Sequence, residues 1–175
     1  IFIDINEELI KLQKKALNGA THFEKINDIP KKPTIFIGNE FLDTFPVHQF
    51  IKKNNYWKEV CVNSDNKELF FSYETTKLSK KLISSNFVNL KEDSIIEINF
   101  KVREIINNIS NFIKKNSGAA IFFDYGYIDG YGDSFQGIKD NKPINPLSDP
   151  GFVDLTSHVN FKDIKLQTKN NNINF

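Results

Sequence analysis

Short apolar runs that end in polar clusters alternate along this chain with segments of helical period. Ile1 to Ile5 reads as a buried strand closed by Asp4 and Asn6. Glu7 to Leu17 then reads as an amphipathic helix, with Leu9, Ile10, Leu12 and Leu17 on one side and lysines on the other. Asn6 is placed to cap it, and Asn18-Gly19 to stop it. After Pro30 and Pro33, the apolar run Thr34 to Ile37 ends at Gly38-Asn39-Glu40. Val47 to Ile51 and Tyr56 to Val62 predict two strands joined by a Lys/Asn turn, and Leu69 to Tyr73 continues that hairpin region. A short apolar run, Ser94 to Ile98, precedes a helix predicted from about Lys101 to Lys115. Its buried stripe is Val102, Ile105, Ile106, Ile109, Phe112 and Ile113.

Gly118 to Asp124 is the clearest strand: small, apolar, and ending in a carboxylate. Residues 126 to 151, rich in Gly, Asp and Pro, read as a long functional loop or hairpin. Asp154 to Lys165 reads as a last helix. Strands alternating with amphipathic helices argue for an α/β sheet covered on both faces. There is no internal repeat.

Composition narrows the function classes without choosing one. The 175 residues allow a single domain, 39% of them are hydrophobic, and 23 Lys+Arg against 22 Asp+Glu leave a net charge of +1. No field of one sign exists to hold a nucleic acid or an anionic bilayer, and no apolar run is long enough to span a membrane. A lone cysteine, Cys61, excludes an internal disulfide and a cysteine-built zinc site. The chain has no methionine and begins at Ile1 inside an apolar run, so it reads as a piece of something longer. Arg103 is the only arginine, and Asn, Ile, Lys and Phe abound, a bias that fits an AT-rich coding sequence.

In an open α/β sheet, ligands bind at the carboxyl ends of the strands. Three apolar runs end there in polar residues: Asp4; Gly38-Asn39-Glu40 with Asp43; and Asp124-Tyr125-Gly126. A carboxylate after a strand can accept both hydroxyl protons of a ribose, and it can equally be a helix N-cap. The stretch Asn39 to Pro46 mixes carboxylates with large apolar residues, as a cation pocket does and as a first helical turn does. His158 follows Asp154 and Thr156 and is either a site residue or a hydrogen-bonded structural one. His22 and His48 carry less signal. Tyr125, Tyr127 and Tyr131 surround glycines, where they can stack on a ligand ring or cover the core. Cys61 lies in a strand pattern and reads as inert.

Several stretches resemble one family in collinear order. Ile3-Asp4-Ile5-Asn6 with Leu9 and Gln13 resembles V-E-x-S-P-x-L-R-x-x-Q, and Asn39 to Gln49 is close to N-E-F-L-D-A-L-P-V-x-Q. Ala119 to Tyr127 resembles A-L-I-I-D-Y-G-Y. Gly132 to Gln136 is similar to G-D-T-L-Q, and Pro150 to Phe161 to P-G-x-x-D-L-T-x-H-V-D-F. The pattern is that of the MidA-like (DUF185) proteins, which include a mitochondrial complex I assembly factor described as a protein arginine methyltransferase.

The resemblance implies an incomplete Rossmann-like, class I methyltransferase fold, α/β, with an inserted β-hairpin region and a long Gly/Asp-rich loop. It implies S-adenosyl-L-methionine as cofactor, no metal, and a protein substrate, a complex I subunit being one candidate. Asp4, with Asn39, would hold the cofactor. Glu40 would hold a substrate guanidinium, with Asp43 in reserve and His158 beside them, while Asp124, Tyr125 and Asp154 would line or brace the pocket. A bacterial cytoplasm or a mitochondrial matrix fits the family. The alternatives are a non-enzymatic assembly or interaction factor that keeps the fold, and a methyltransferase with another substrate. The family's glycine-rich first strand, E-L-G-P-G-x-G, lies before the place where this chain begins, and its T-Q-G-x-F-L region lies after the end. Residues 1–175 therefore read as a partial methyltransferase domain, expected to expose a sheet edge and to be inactive alone. Asn160 stands where the family has Asp, and Asp140-Asn141 where a His is usual.

Overall fold

The computed structural model describes residues 1–66, 68–75 and 89–175. They form two compact units, the first of Ile1–Ile37, Glu104–Ile121 and Lys165–Phe175, the second of Gly38–Arg103 and Phe122–Ile164.

In the first unit, β1 (Phe2–Ile3) pairs in parallel with β2 (His22–Phe23), and helix α1 (Glu7–Ala16) connects them. The Asn6 side chain accepts the Glu8 and Leu9 N–H groups, the cap that the polar residue before the helix predicts. The apolar stripe of α1 stays outside: Leu12 is 63% exposed and Leu17 53%, and no residue of the helix is buried.

Strand β3 (Thr34–Asn39) pairs with β8 (Gly118–Phe123). Thr34 N–H donates to Ser117 O and Glu40 N–H to Phe123 O, an advance of six residues on both chains, so the pair is parallel. Gly118 is required here, because a Cβ would stand 1.9 Å from Thr34 O. Helix α2 (Phe100–Asn116) buries Val102, Ile105, Ile106, Ile109 and Phe112 of the predicted stripe, with Ile113 half-buried, and its Phe112 ring meets Phe36 of β3 edge-on at 5.4 Å. The opposite face of these strands is open: Ile35 and Ile37 are 66% and 73% exposed, and Ile121 is also exposed. The expectation of a sheet covered on both faces thus holds for one face only, since among the described residues no element covers the other.

The second unit is antiparallel for the most part. Its main sheet has the order β6-β5-β4-β7, from Leu69–Glu74, Tyr56–Ser64, His48–Lys53 and Ile95–Ile98. A two-residue turn, Asn54-Asn55, joins β4 to β5 with φ of 53° and 63°, as a tight hairpin whose strands twist right-handedly demands. Phe50, Ile96 and Ile98 form its core, with Trp57, Leu90 and Phe100 packed against them.

The glycine- and aspartate-rich segment contributes β9 (Gly126–Tyr127), then a hairpin of β10 (Gln136–Lys139) and β11 (Lys142–Ile144). The helix expected from Asp154 is a correction. Asp154–Thr156 is β12, paired with β10, and Val159–Asn160 is β13, paired in parallel with β9; helix α3 begins only at Phe161 and runs to Asn170. Leu155 and Val159 have helical spacing, but β10 supplies backbone partners to one end of this stretch and β9 to the other, and long-range pairing overrides the local period.

Candidate active site

The predicted carboxylates of the second unit converge where β3 and β8 end. Glu40 follows β3 with φ of 46° and donates its N–H to Phe123 O at 2.8 Å. Left-handed backbone is uncommon for glutamate, and such residues concentrate at functional sites. Two residues on, Leu42 is 1% exposed and anchors the loop in the core. Asp124, next after β8, accepts the Asp43 N–H on Oδ1 at 3.2 Å and the Leu42 N–H on Oδ2 at 3.3 Å. The loop from the N-E-F-L-D motif is thus fastened by the carboxylate of the D-Y-G-Y motif.

Asp43 is only 7% exposed. Its carbonyl accepts Ser157 N–H at 3.1 Å, and its buried Oδ1 has no hydrogen-bond partner. Burial pushes its carboxyl above the ordinary aspartate range, and Asp124, Glu40 and Asp154 add to the shift. Glu40, Asp43, Asp124 and Asp154 are therefore one electrostatic cluster. Tyr125 stands beside it, 67% exposed, with its carbonyl accepting Val159 N–H at 2.8 Å. Gly126 lets β9 and β13 approach, since a Cβ there would lie 2.1 Å from Val159 O. Among the described residues, no group of three or more His, Cys, Asp or Glu is placed to hold a metal ion.

His158 belongs to a different arrangement. Its side chain is exposed, and its N–H donates to Ser134 Oγ at 2.9 Å. With Leu42, Glu97, Tyr127 and Asn160 it lines a small cavity. Burial, followed by the Glu97 charge, pushes the Tyr127 hydroxyl up to about 12, so it stays a neutral phenol. Glu97 is the residue that sequence reasoning missed. It is buried, and its Oε1 accepts Gln49 Nε2 at 2.8 Å and Ser134 N–H at 2.9 Å, while Oε2 takes the Ser134 hydroxyl at 2.5 Å. The available signal was one carboxylate inside the apolar run Ile95 to Ile98.

Asn39 ends β3 as an exposed residue beside Glu40. Asp4 lies in the first unit, at the carboxyl end of β1. Its Oδ1 accepts Asn6 N–H at 2.9 Å and its Oδ2 accepts Gln13 Nε2 at 2.8 Å. The Asn6 N–H is the main cause that holds its carboxyl below the ordinary range, against a smaller opposing effect of burial. Gln13 Oε1 meets His22 Nε2 at 2.9 Å. Because the Gln13 amide already donates to Asp4, its oxygen must accept from His22, which places a proton on Nε2 and leaves the buried Nδ1 without a partner. His22, discounted in the sequence, therefore orients Gln13 while its ring stacks on Phe2 at 5.2 Å. Each Asp4 oxygen keeps a lone pair, so this ionised carboxylate fits the hydroxyl pair of a ribose.

The whole chain, residues 1–175, matches a family model described as "Putative S-adenosyl-L-methionine-dependent methyltransferase". A similar relative is the mitochondrial protein arginine methyltransferase NDUFAF7 homolog of Caenorhabditis elegans, 36% identical over an alignment of 144 positions that covers 79% of this chain and 34% of that protein. The mitochondrial protein arginine methyltransferase NDUFAF7 of Homo sapiens is 29% identical over an alignment of 179 positions that covers 93% of this chain and 40% of the relative. The chain therefore spans well under half the length of these relatives. Among solved structures, a COG1565 superfamily member from Burkholderia thailandensis bound to S-adenosyl-homocysteine has the same fold. The TM-score is 0.79 at 18% identity, over 97% of this chain and 47% of that one. Motif order, fold and full-length family match agree: the chain belongs to the family of S-adenosyl-L-methionine-dependent methyltransferases that this model describes.

Proposed function

We propose that the whole protein carries out S-adenosyl-L-methionine-dependent methylation of an arginine side chain in a protein substrate. The observation that carries this reading is the buried, unpartnered Oδ1 of Asp43 within a cluster of four carboxylates, an environment that calls for a cation. The names of the relatives supply the reaction: they are protein arginine methyltransferases. Their mitochondrial naming favours the matrix, and a complex I subunit is the substrate to test first.

The cofactor, when bound, supplies an electrophilic methyl group on a sulfonium. Asp4 would accept its ribose hydroxyls, with Gln13 and His22 keeping that carboxylate aimed. Glu40 and Asp43 would grip the guanidinium through its fork of N–H donors, fixing its plane and the direction of the attacking lone pair. Asp124 would act one step back, by holding the backbone of the loop that carries both.

The test is methyl transfer by the whole protein to arginine- and lysine-containing peptides, with Glu40→Gln as the control. Transfer to arginine that Glu40→Gln abolishes, with cofactor affinity unchanged, supports the reading. Cofactor binding without transfer to any substrate would favour an assembly factor that has kept the fold.

A further inference from the structure

Asp43 presents a chemical problem that its neighbours do not solve. It is 7% exposed, and its Oδ1 is buried without a donor. The charged groups that act on it come from three places: Glu40 on its own loop, Asp124 at the end of β8, and Asp154 on β12. All are carboxylates. Two acids that share a site cannot both ionise unless a cation stands between them.

The geometry also decides which acid keeps the proton. Asp124 already accepts N–H groups on both of its oxygens, from Asp43 and Leu42. Asp43 Oδ1 has no such donor, and Asp124 is among the groups that push the Asp43 carboxyl up.

We propose that, without substrate, the site holds one proton on the Asp43–Asp124 pair, seated on Asp43, and that a cationic side chain enters by exchange for that proton. This inference rests on the functional reading above and adds to it a linkage between substrate and proton. The guanidinium or ammonium enters with one positive charge, the Asp43 O–H bond breaks, and its proton leaves to solvent. The net charge of the site is the same before and after. Substrate affinity accordingly rises with pH through the titration of the pair and is flat above it.

The experiment is a pH titration of the whole protein labelled with ¹³Cγ-aspartate, alone and then with saturating agmatine or n-butylammonium as the cation. We expect the Asp43 resonance to titrate above the ordinary aspartate range in the free protein, and to return toward it in Asp124→Asn. Agmatine should carry the midpoint downward and release protons in proportion to sites filled. An ordinary Asp43 titration in the free protein overturns the inference, whatever the substrate. A raised midpoint that neither cation moves also overturns it. A raised midpoint lowered by n-butylammonium but not by agmatine leaves the exchange standing and sinks the arginine reading.

Discussion

Gln49 and Glu97, 48 residues apart in sequence, meet side chain to side chain at 2.8 Å in the buried sheet of the second unit. Gln49 also donates to Asp133 Oδ1 at 2.7 Å, and Glu97 holds the Ser134 N–H and hydroxyl, so two strands and the glycine-rich loop share one polar knot. Glu97→Ala leaves those donors buried without an acceptor. It should cost roughly 2 kcal/mol or more in urea denaturation, and amide exchange at Ser134 should accelerate. An unchanged midpoint would show that water replaces the carboxylate at no loss.

Asp43 should behave as a site residue kept at the expense of stability. Its carboxyl titrates above the ordinary range in the folded protein, so folding is penalised at neutral pH and the penalty lifts as pH falls through that raised titration toward about 3.9. Asp43→Asn removes the titratable group, and should raise stability at pH 7 by roughly 1 kcal/mol. The advantage should disappear below the ordinary aspartate titration, where both proteins carry a neutral group. Denaturation of the pair at several pH values checks the sign.

Asp4 predicts the opposite slope. Its carboxyl is held below the ordinary range, so its contribution is present above about 3.9 and is lost as pH falls through the lower, folded-state titration. Asp4→Asn sets an amide N–H against the Gln13 amide, and turning Gln13 over would set it against His22 Nε2. A loss of about 1 kcal/mol at neutral pH is expected, shrinking in acid. Calorimetry with S-adenosylmethionine should show weaker binding by the same variant.

Glu40 allows the backbone and the side chain to be tested apart. Glycine occupies φ of 46° without strain, so Glu40→Gly should keep the fold and add up to about 1 kcal/mol of stability. Glu40→Gln keeps the strain and removes only the charge. Both should lose methyl transfer. Retained transfer in the glycine variant would remove Glu40 from the substrate site.

At the β4–β5 turn, Asn55 sits at φ of 63°. Asn55→Gly should stabilise by a few tenths to about 1 kcal/mol, and Asn55→Val should destabilise by about 1–2 kcal/mol. Thermal unfolding of the two variants measures the span.

Much of the candidate site in the second unit was legible because its residues are short-range features of strand ends: Glu40, Asp43 and Asp124 each follow an apolar run. Asp4 follows one in the first unit. What escaped depends on partners distant in sequence. The β-pairing of Asp154 to Asn160 needs Gln136 to Ile138 and Gly126 to Tyr127, which no local period reports. Glu97 looks like an interruption of an apolar strand until Ser134 and Gln49 are beside it. The leucines of α1 announce a buried face by spacing, yet spacing cannot say which element covers them.

Eight of the ten non-glycine residues with positive φ among the described residues are Asn or Asp; Glu40 and Ser117 are the others. Asparagine tolerates this backbone region better than any side chain but glycine's absence of one. A genome whose base composition drifts toward asparagine codons therefore finds, in these turns, positions that accept the change with little loss of folding free energy. A relative encoded at high GC content should carry glycine at several of the same corners while keeping aspartate at 43 and 124.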